Sequence, residues 1–335
     1  MSIRIVPYRE ENIPAVVDFN QRPREGGMPE DYVFSASPAP SWLPPGNDAP
    51  VYNEFYLAVE EGVVRGAYAL KRQDFSFHGA IRPVVYYHHP FSEGLLDKKY
   101  TQVGLQMLVQ AMRNHPLLYL LGMGGYDRPL PRMMMALKWH HGLIPFFFRV
   151  SHPGRFLRKL RALRQSGGRR ALADLAAFSG AGWVGIRAIQ AISGLRGLRV
   201  RAEAAVVEEF EDWADEIWER RRSEFAMIAV RNTRTLRVLY PASNPSFIRL
   251  KVIRNGRVVG WAVAAVAQKP DHPQYGDLRV GHILDGLAGA EDCRRRLQSS
   301  PTDRICRGMR RPAETPPRAT APAASRLPCS AARSG

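Results

Sequence analysis

The sequence predicts an α+β protein made of two similar units, each a mixed, mostly antiparallel sheet flanked by helices, with the second unit incomplete. Three observations carry this. Residues 1–150 read in the order β-α-β-β-β-α-β-α-β, a hairpin from that stretch recurs after residue 198, and the chain after Tyr275 holds no aromatic residue at all. At 335 residues and 37.7 kDa, with 45% hydrophobic and 24% charged residues, two domains can each bury a core, and neither a wholly disordered nor a collagen-like chain fits.

Ile3, Ile5 and Pro7 alternate with polar positions and predict a strand; Glu10 to Phe19 follows as a helix with Ile13, Val16 and Val17 on one side. Residues 21–50, rich in Pro, Gly and Ser, predict a long loop, read either as a lid or as a structural loop with one buried tryptophan, Trp42. Phe55–Val59 and Val63–Leu70 form a hairpin about Glu60-Glu61-Gly62, and Ile81–Tyr87 adds a third strand. Gly104, Met107, Leu108 and Ala111 have helical spacing and His115-Pro116 stops that helix. The apolar run Leu117–Leu121, ending at Gly122-Met123-Gly124-Gly125, suits a central strand. A helix through Leu130, Met133, Met134 and Leu137 and a closing strand over Ile144–Val150 complete the unit.

Residues 151–197 read as a basic helical linker. Within it, 155–170 carries seven Lys or Arg and no acid, with Phe156, Leu157, Leu160 and Leu163 as an apolar edge. Such a helix lies on an anionic membrane, docks on a protein partner, or merely connects. The second unit spans 198–287. Val206 to Ile217 predicts a helix, and Leu250-x-Val252 with Gly256 and Gly260 repeats Leu57-x-Val59 with Gly62 and Gly66. Residues 288–335 form an Arg/Pro/Ala-rich tail, expected to be disordered. Its composition is that of a GC-rich gene read out of frame or of a natural low-complexity tail.

The formal charge of +17 raises the question of polyanionic partners, but +6 of it lies in the tail, and the basic helix lacks the interleaved aromatics of a nucleic-acid reader. No nucleic acid is expected. All three cysteines, Cys293, Cys306 and Cys329, lie in the tail without metal-ligand spacing, so no metal is expected. His88-His89 and His140-His141 do not change this, because adjacent residues of a strand point to opposite sides. A cysteine-free body, an N-terminus without a secretory pattern and an apolar stretch, 175–186, too short to span a bilayer give a cytoplasmic expectation.

With Ile3-Arg4-Ile5-Val6-Pro7-Tyr8-Arg9-Glu10 as first strand and helix start, residues 1–150 resemble the GNAT superfamily of acyl-CoA-dependent N-acyltransferases. Residues 200–287 resemble a weaker copy, and the whole is similar to the tandem GNAT-like proteins of bacteria, here with a truncated or out-of-frame end. The resemblance implies that two neighbouring strands splay, that the edge at Tyr86 and Tyr87 pairs with the pantetheine arm of acetyl-CoA or another acyl-CoA, and that a helix start binds the pyrophosphate. It places that start at Lys99, Thr101, Gln102, Val103 and Gly104. Gly104 alone matches the family's glycine-rich pattern; Thr101 stands for Arg or Gln, and Gln106 for a small residue. Glu93 and His89, with His88 as a further histidine, are the implied candidates for a base and Tyr126 for an acid, in direct transfer to a small-molecule amine. The alternative is a catalytically inactive GNAT-like interaction protein that docks a membrane surface or protein partner through its basic helix. A third reading puts the working site of intact relatives in the second half.

Overall fold

The structure, a computed structural model, describes residues 2–28, 32–39, 42–44, 48–122, 125–161, 166–195, 202–272 and 275–289. The tail reading falls on 290–335, outside the described residues. The chain is α+β with two sheets and eight helices among the described residues.

The first sheet grows from β1 (Arg4–Pro7), β2 (Val51–Glu60), β3 (Val63–Phe77), β4 (Ala80–Ser92) and β5 (Leu118–Tyr119), adjacent in that order. All pairs are antiparallel except β4–β5. Its two faces bury different helices. On one, Val103, Met107, Leu108 and Ala111 of α2 (Thr101–Asn114) lie against Tyr68, Leu70, Val85 and Tyr87. On the other, Val16 and Phe19 of α1 (Ile13–Glu25) lie against Leu57, Ala67 and Phe91. α1 therefore runs through the start of the expected loop. Asn20 on it anchors the next segment, exchanging hydrogen bonds with the Phe34 backbone at 2.9 and 2.8 Å.

α3 (Pro129–Ala136) forms as expected, with Met134 buried against α2's face of the sheet. The closing strand over Ile144–Val150 does not form. An apolar run of that kind needs a neighbouring edge and cover on both faces, and it has neither: Phe146, Phe147 and Phe148 are 70–77% exposed. The basic stretch is α4 (Pro153–Lys159), residues 162–165 outside the described set, and the start of α5 (Gly167–Phe178); α6 (Ala181–Leu195) follows.

The second sheet has the order β10-β9-β8-β6, built from β6 (Glu203–Val207), β8 (Phe247–Arg254), β9 (Arg257–His272) and β10 (Gly276–Ala288). Val206 lies in β6 rather than a helix; the β-branched run ends at Val207, and α7 (Asp212–Arg221) begins later, with Glu211 as its N-cap. The repeat holds in backbone detail. Both hairpins turn through two left-handed residues, Glu61 (φ 50°) and Gly62 (82°), then Asn255 (50°) and Gly256 (72°). Both bulge at the next glycine: Ala58 faces Gly66 and Val59 faces Val64, while Val252 faces Gly260 and Ile253 faces Val258. Each glycine admits a third-strand carbonyl where a Cβ would stand, that of Phe91 at 3.0 Å and of Leu287 at 2.6 Å.

The units are joined strand to strand. β3 outruns β2, which begins opposite Gln73, and the freed edge Phe75–Phe77 is taken by β7 (Met227–Ala229). Beside it Gln73 Nε2 donates to the Val230 carbonyl at 3.0 Å and the Trp42 indole donates to the Leu239 carbonyl, the end of α8 (Thr233–Leu239), at 2.8 Å. Trp42 is half-exposed rather than buried and serves as a bridge between units.

Candidate functional site

The site follows from β4 and β5 pairing over only two positions, Val85 with Leu118 and Tyr86 with Tyr119. Beyond them Leu120 and Leu121 run to Gly122, whose φ of 68° turns the chain away from the sheet. β4 bends at the same level. Ala67 faces Phe91 and Ala69 faces His88, so His89 and Pro90 form a bulge, with His89 itself left-handed at φ 48°. The strands thus diverge into a wedge, a cavity of about 340 Å³. Tyr86, Tyr87, His88, His89 and Pro90 line one wall; Leu120, Leu121, Gly122 and, from α3, Leu130 line the other.

The bulge also changes the histidine pair. Strict alternation would send His88 and His89 to opposite faces, but the left-handed turn brings their Nδ1 atoms to 2.7 Å, one donating to the other. His88 Nε2 is buried without a hydrogen-bond partner. Burial, then the neighbouring His89 and Lys71, push the His88 pKa down to about 4, so its ring is neutral near pH 7. Tyr86 stacks on His88 at 5.0 Å and on Tyr119 at 5.1 Å, and burial raises both phenols, Tyr119 to about 12.

One side of this aromatic stack meets a polar cluster that sequence reading missed. Lys71, opposite Tyr86 on β3, has its pKa pushed down to about 8 by burial and by Arg231, against the pull of Asp285. Asp285, on β10, accepts from Arg231 Nε and from Tyr240 Oη at 2.9 Å. These four residues are spread over more than 200 positions of sequence, and the strand-to-strand join brings them to one place. Lys71 shares its strand face with Gln73, so it does not stand out in the sequence.

The other expected residues lie apart from the wedge. The Glu93 carboxylate, 8% exposed, accepts from Arg22 Nε on α1 at 2.9 Å and from Arg65 Nη1 on β3 at 3.0 Å; Arg65 in turn lies 4.3 Å over the Tyr100 ring. It clamps α1, β3 and the start of α2 together. At that start Asp97 Oδ1 accepts from the Lys99 amide at 2.9 Å and Thr101 Oγ1 donates to the Lys98 carbonyl at 2.7 Å. Gln102 is exposed and Val103 buried in the core. Gly104 faces Ser92, where a Cβ would make only an ordinary 3.8 Å contact, so the chain's own packing does not demand glycine there. Tyr126 is half-exposed, its ring edge-on to His141 at 5.5 Å, outside the cavity lining. No group of three or more metal-ligating side chains occurs among the described residues.

No family model and no curated protein sequence matches the chain. Among solved structures it is similar to a GCN5-related N-acetyltransferase from Anabaena variabilis, with 9% identity over 88% of this chain and 61% of that one and a TM-score of 0.43. An N-myristoyltransferase of Saccharomyces cerevisiae with bound myristoyl-CoA gives 12% identity over 87% and 64%, TM-score 0.43. A tandem GNAT protein from the clavulanic acid biosynthesis pathway gives 14% over 87% and 80%, TM-score 0.42. The chain thus spans less than two thirds of the length of the first two. At such identities and TM-scores these likenesses assign no chemistry, which has to come from the site itself.

Proposed function

We propose that the protein is an acyl-CoA-dependent N-acyltransferase whose first unit passes an acyl group, acetyl in the simplest case, directly to the primary amine of a small molecule. One observation carries the reading: the wedge between β4 and β5, whose strands stop pairing after Tyr86 and Tyr119 and are bridged there by a long 3.5 Å hydrogen bond from the Tyr86 hydroxyl to the Leu121 carbonyl, with the orphaned Nε2 of His88 in its wall. A strand edge freed from its neighbour offers amides and carbonyls to an extended, amide-bearing ligand, and the pantetheine arm of coenzyme A is one. Acyl-CoA supplies an activated thioester carbonyl.

The residues divide the work as follows. Tyr87 to Pro90 present their backbone to the arm, while Leu120, Leu121 and Leu130 exclude water from the acyl end. Lys98 and Lys99 supply positive charge for the pyrophosphate, because Asp97 already takes the Lys99 amide. His89 lines the cavity and accepts the proton that the amine releases, oriented through Nδ1 by the neutral His88. Tyr126 lies outside the cavity lining, so the departing thiolate takes its proton from solvent. Glu93 holds the scaffold through its two guanidinium partners.

The test is acetyl-CoA titration followed by thermal unfolding. Ligand at one hundred times its dissociation constant stabilises by about 2.7 kcal/mol, a rise of several degrees in Tm. Leu121→Trp, which fills the wedge from a partly exposed position, should abolish the rise while leaving the ligand-free Tm unchanged. An unshifted wild-type Tm at millimolar acetyl-CoA and at millimolar long-chain acyl-CoA would refute the proposal.

A further inference from the structure

The segment between the two sheets leaves much of its apolar surface uncovered. Leu172, Leu175 and Phe178 on α5 and Val184, Ile189 and Ile192 on α6 are each more than half exposed. Phe146, Phe147 and Phe148, in the stretch that fails to form a strand, are exposed to a similar degree. These pieces form one body. Phe148 stacks between Phe146 at 6.2 Å and Phe156 of α4 at 6.3 Å, and α6 donates from Arg187 Nη2 to the Ser151 carbonyl at 3.1 Å and from Gln190 Nε2 to the Val150 carbonyl at 3.0 Å. Gly182 of α6 lies against Leu157 of α4 so closely that no Cβ would fit.

Charge selects the occupant. Residues 128–202 hold fifteen Lys or Arg and one acid, Asp174, so this one segment carries most of the chain's excess charge. Arg169 and Arg170 open α5 beside its apolar side chains, and Arg187 lies 5.8 Å over the Trp183 ring, a cation paired with a half-exposed indole. No single described helix is long and apolar enough to cross a membrane; α5 and α6 reach that length and apolar content only together, and they are bent by 80° to one another. Helices of 12 and 15 residues are about 18 and 22 Å long, short of a hydrocarbon core of about 30 Å. An angled pair of that length suits the interface plane, with aromatic and aliphatic side chains among the acyl chains and arginines at the phosphates.

We propose that residues 143–161 and 166–192 form a monotopic anchor that seats the protein on the surface of an anionic phospholipid bilayer, with α5, α6 and the three phenylalanines inserted in one leaflet. The inference stands independently of the acyltransferase reading.

The experiment is co-sedimentation of the full chain with vesicles of phosphatidylcholine alone and of phosphatidylcholine with phosphatidylglycerol. Binding to the mixed vesicles should exceed binding to the neutral ones roughly tenfold or more. The double variant Leu175→Asp/Phe178→Asp and the double variant Arg169→Glu/Arg170→Glu should each lower it roughly tenfold. All four side chains are exposed, so far-ultraviolet circular dichroism should be unchanged in both. The emission lost in Trp183→Phe should shift to the blue on adding mixed vesicles to wild type. Failure of the wild type to bind mixed vesicles overturns the proposal. So does retained binding by Leu175→Asp/Phe178→Asp, or lipid-free self-association through these residues without vesicle binding.

Discussion

The two units share a three-stranded meander, alike down to the hairpin turn and the bulge at its glycine, and among the described residues the third strand of the first unit lines a cavity. β4 bulges at His89-Pro90, immediately before the Phe91 carbonyl that abuts Gly66, and β10 at Leu284, three residues before the Leu287 carbonyl that abuts Gly260. In the first unit β5 lies alongside and leaves after two residues, so the bulge faces an empty wedge. In the second, no strand lies beyond β10 among the described residues, and the residue after the bulge, Asp285, is committed to Arg231 and Tyr240. A third-strand bulge alone is therefore a structural device. It becomes a candidate site only where a departing neighbour leaves its backbone unpaired.

The strongest way to break the comparison is to remove the carboxylate clamp of each unit. Glu93→Ala strands the guanidiniums of Arg22 and Arg65 in a partly buried setting and should cost about 3 kcal/mol in urea unfolding. Asp285→Ala leaves Arg231 and the Tyr240 hydroxyl unpaired and should cost about 2 kcal/mol. Were Glu93 instead the base of a transfer reaction, Glu93→Gln would abolish turnover with the urea midpoint unchanged.

The hairpin glycines probe the repeat itself. A Cβ on Gly260 meets two backbone or short side-chain neighbours below 3 Å, the Leu287 carbonyl and Ala288 Cβ, neither of which can yield. On Gly66 its nearest neighbour is the flexible sulfur of Met107 at 2.9 Å. Gly260→Ala should therefore destabilise by about 2 kcal/mol and Gly66→Ala by about 1, read from the same denaturation curves.

Acid should strain the wedge more than any other part of the first sheet. The His88 pKa is about 4 when folded against 6.5 unfolded, so as pH falls from 6.5 the unfolded chain takes the proton first and stability drops, flattening below pH 4. The loss is at most about 3 kcal/mol and should vanish in His88→Phe. Lys71 has the same sign higher up: stability declines as pH falls from its unfolded 10.5 towards 8. At pH 7 its buried charge is a net cost, and Lys71→Met should stabilise by about 1 kcal/mol.

Local pattern made the first four strands, α1, α2 and the repeated hairpin legible, because each is written in spacing that a few neighbouring residues enforce. What failed was written elsewhere. Leu117–Leu121 and Ile144–Val150 carry the apolar content of buried strands, but a strand is decided by whether a partner edge is available. β5 finds one for two residues and the second run finds none. Tyr86, Tyr87 and His89 could be placed at the wedge because they sit on β4. The pairing of His88 with His89 could not, since it depends on a left-handed residue that alternation does not foresee. The cluster of Lys71, Arg231, Tyr240 and Asp285 was illegible because β7 crosses between units.

The finest difference lies in the two turns, which share backbone angles but not sequence. Left-handed φ costs glutamate more than asparagine, whose short side chain can bond its own backbone. The Glu61-Gly62 turn of the first unit is thus the less favoured of the two, although its side chains meet nothing that requires glutamate. Glu61→Asn should stabilise by about 0.5 kcal/mol and Asn255→Glu should destabilise by a similar amount, both measurable as opposite displacements of the urea midpoint at constant slope. Equal and opposite shifts would mean that the two hairpins are energetically as well as geometrically copies. A shift in the second alone would mean that the first turn is held by its surroundings, the Arg65–Glu60 and Arg65–Glu93 ion pairs beside it, rather than by its own residues.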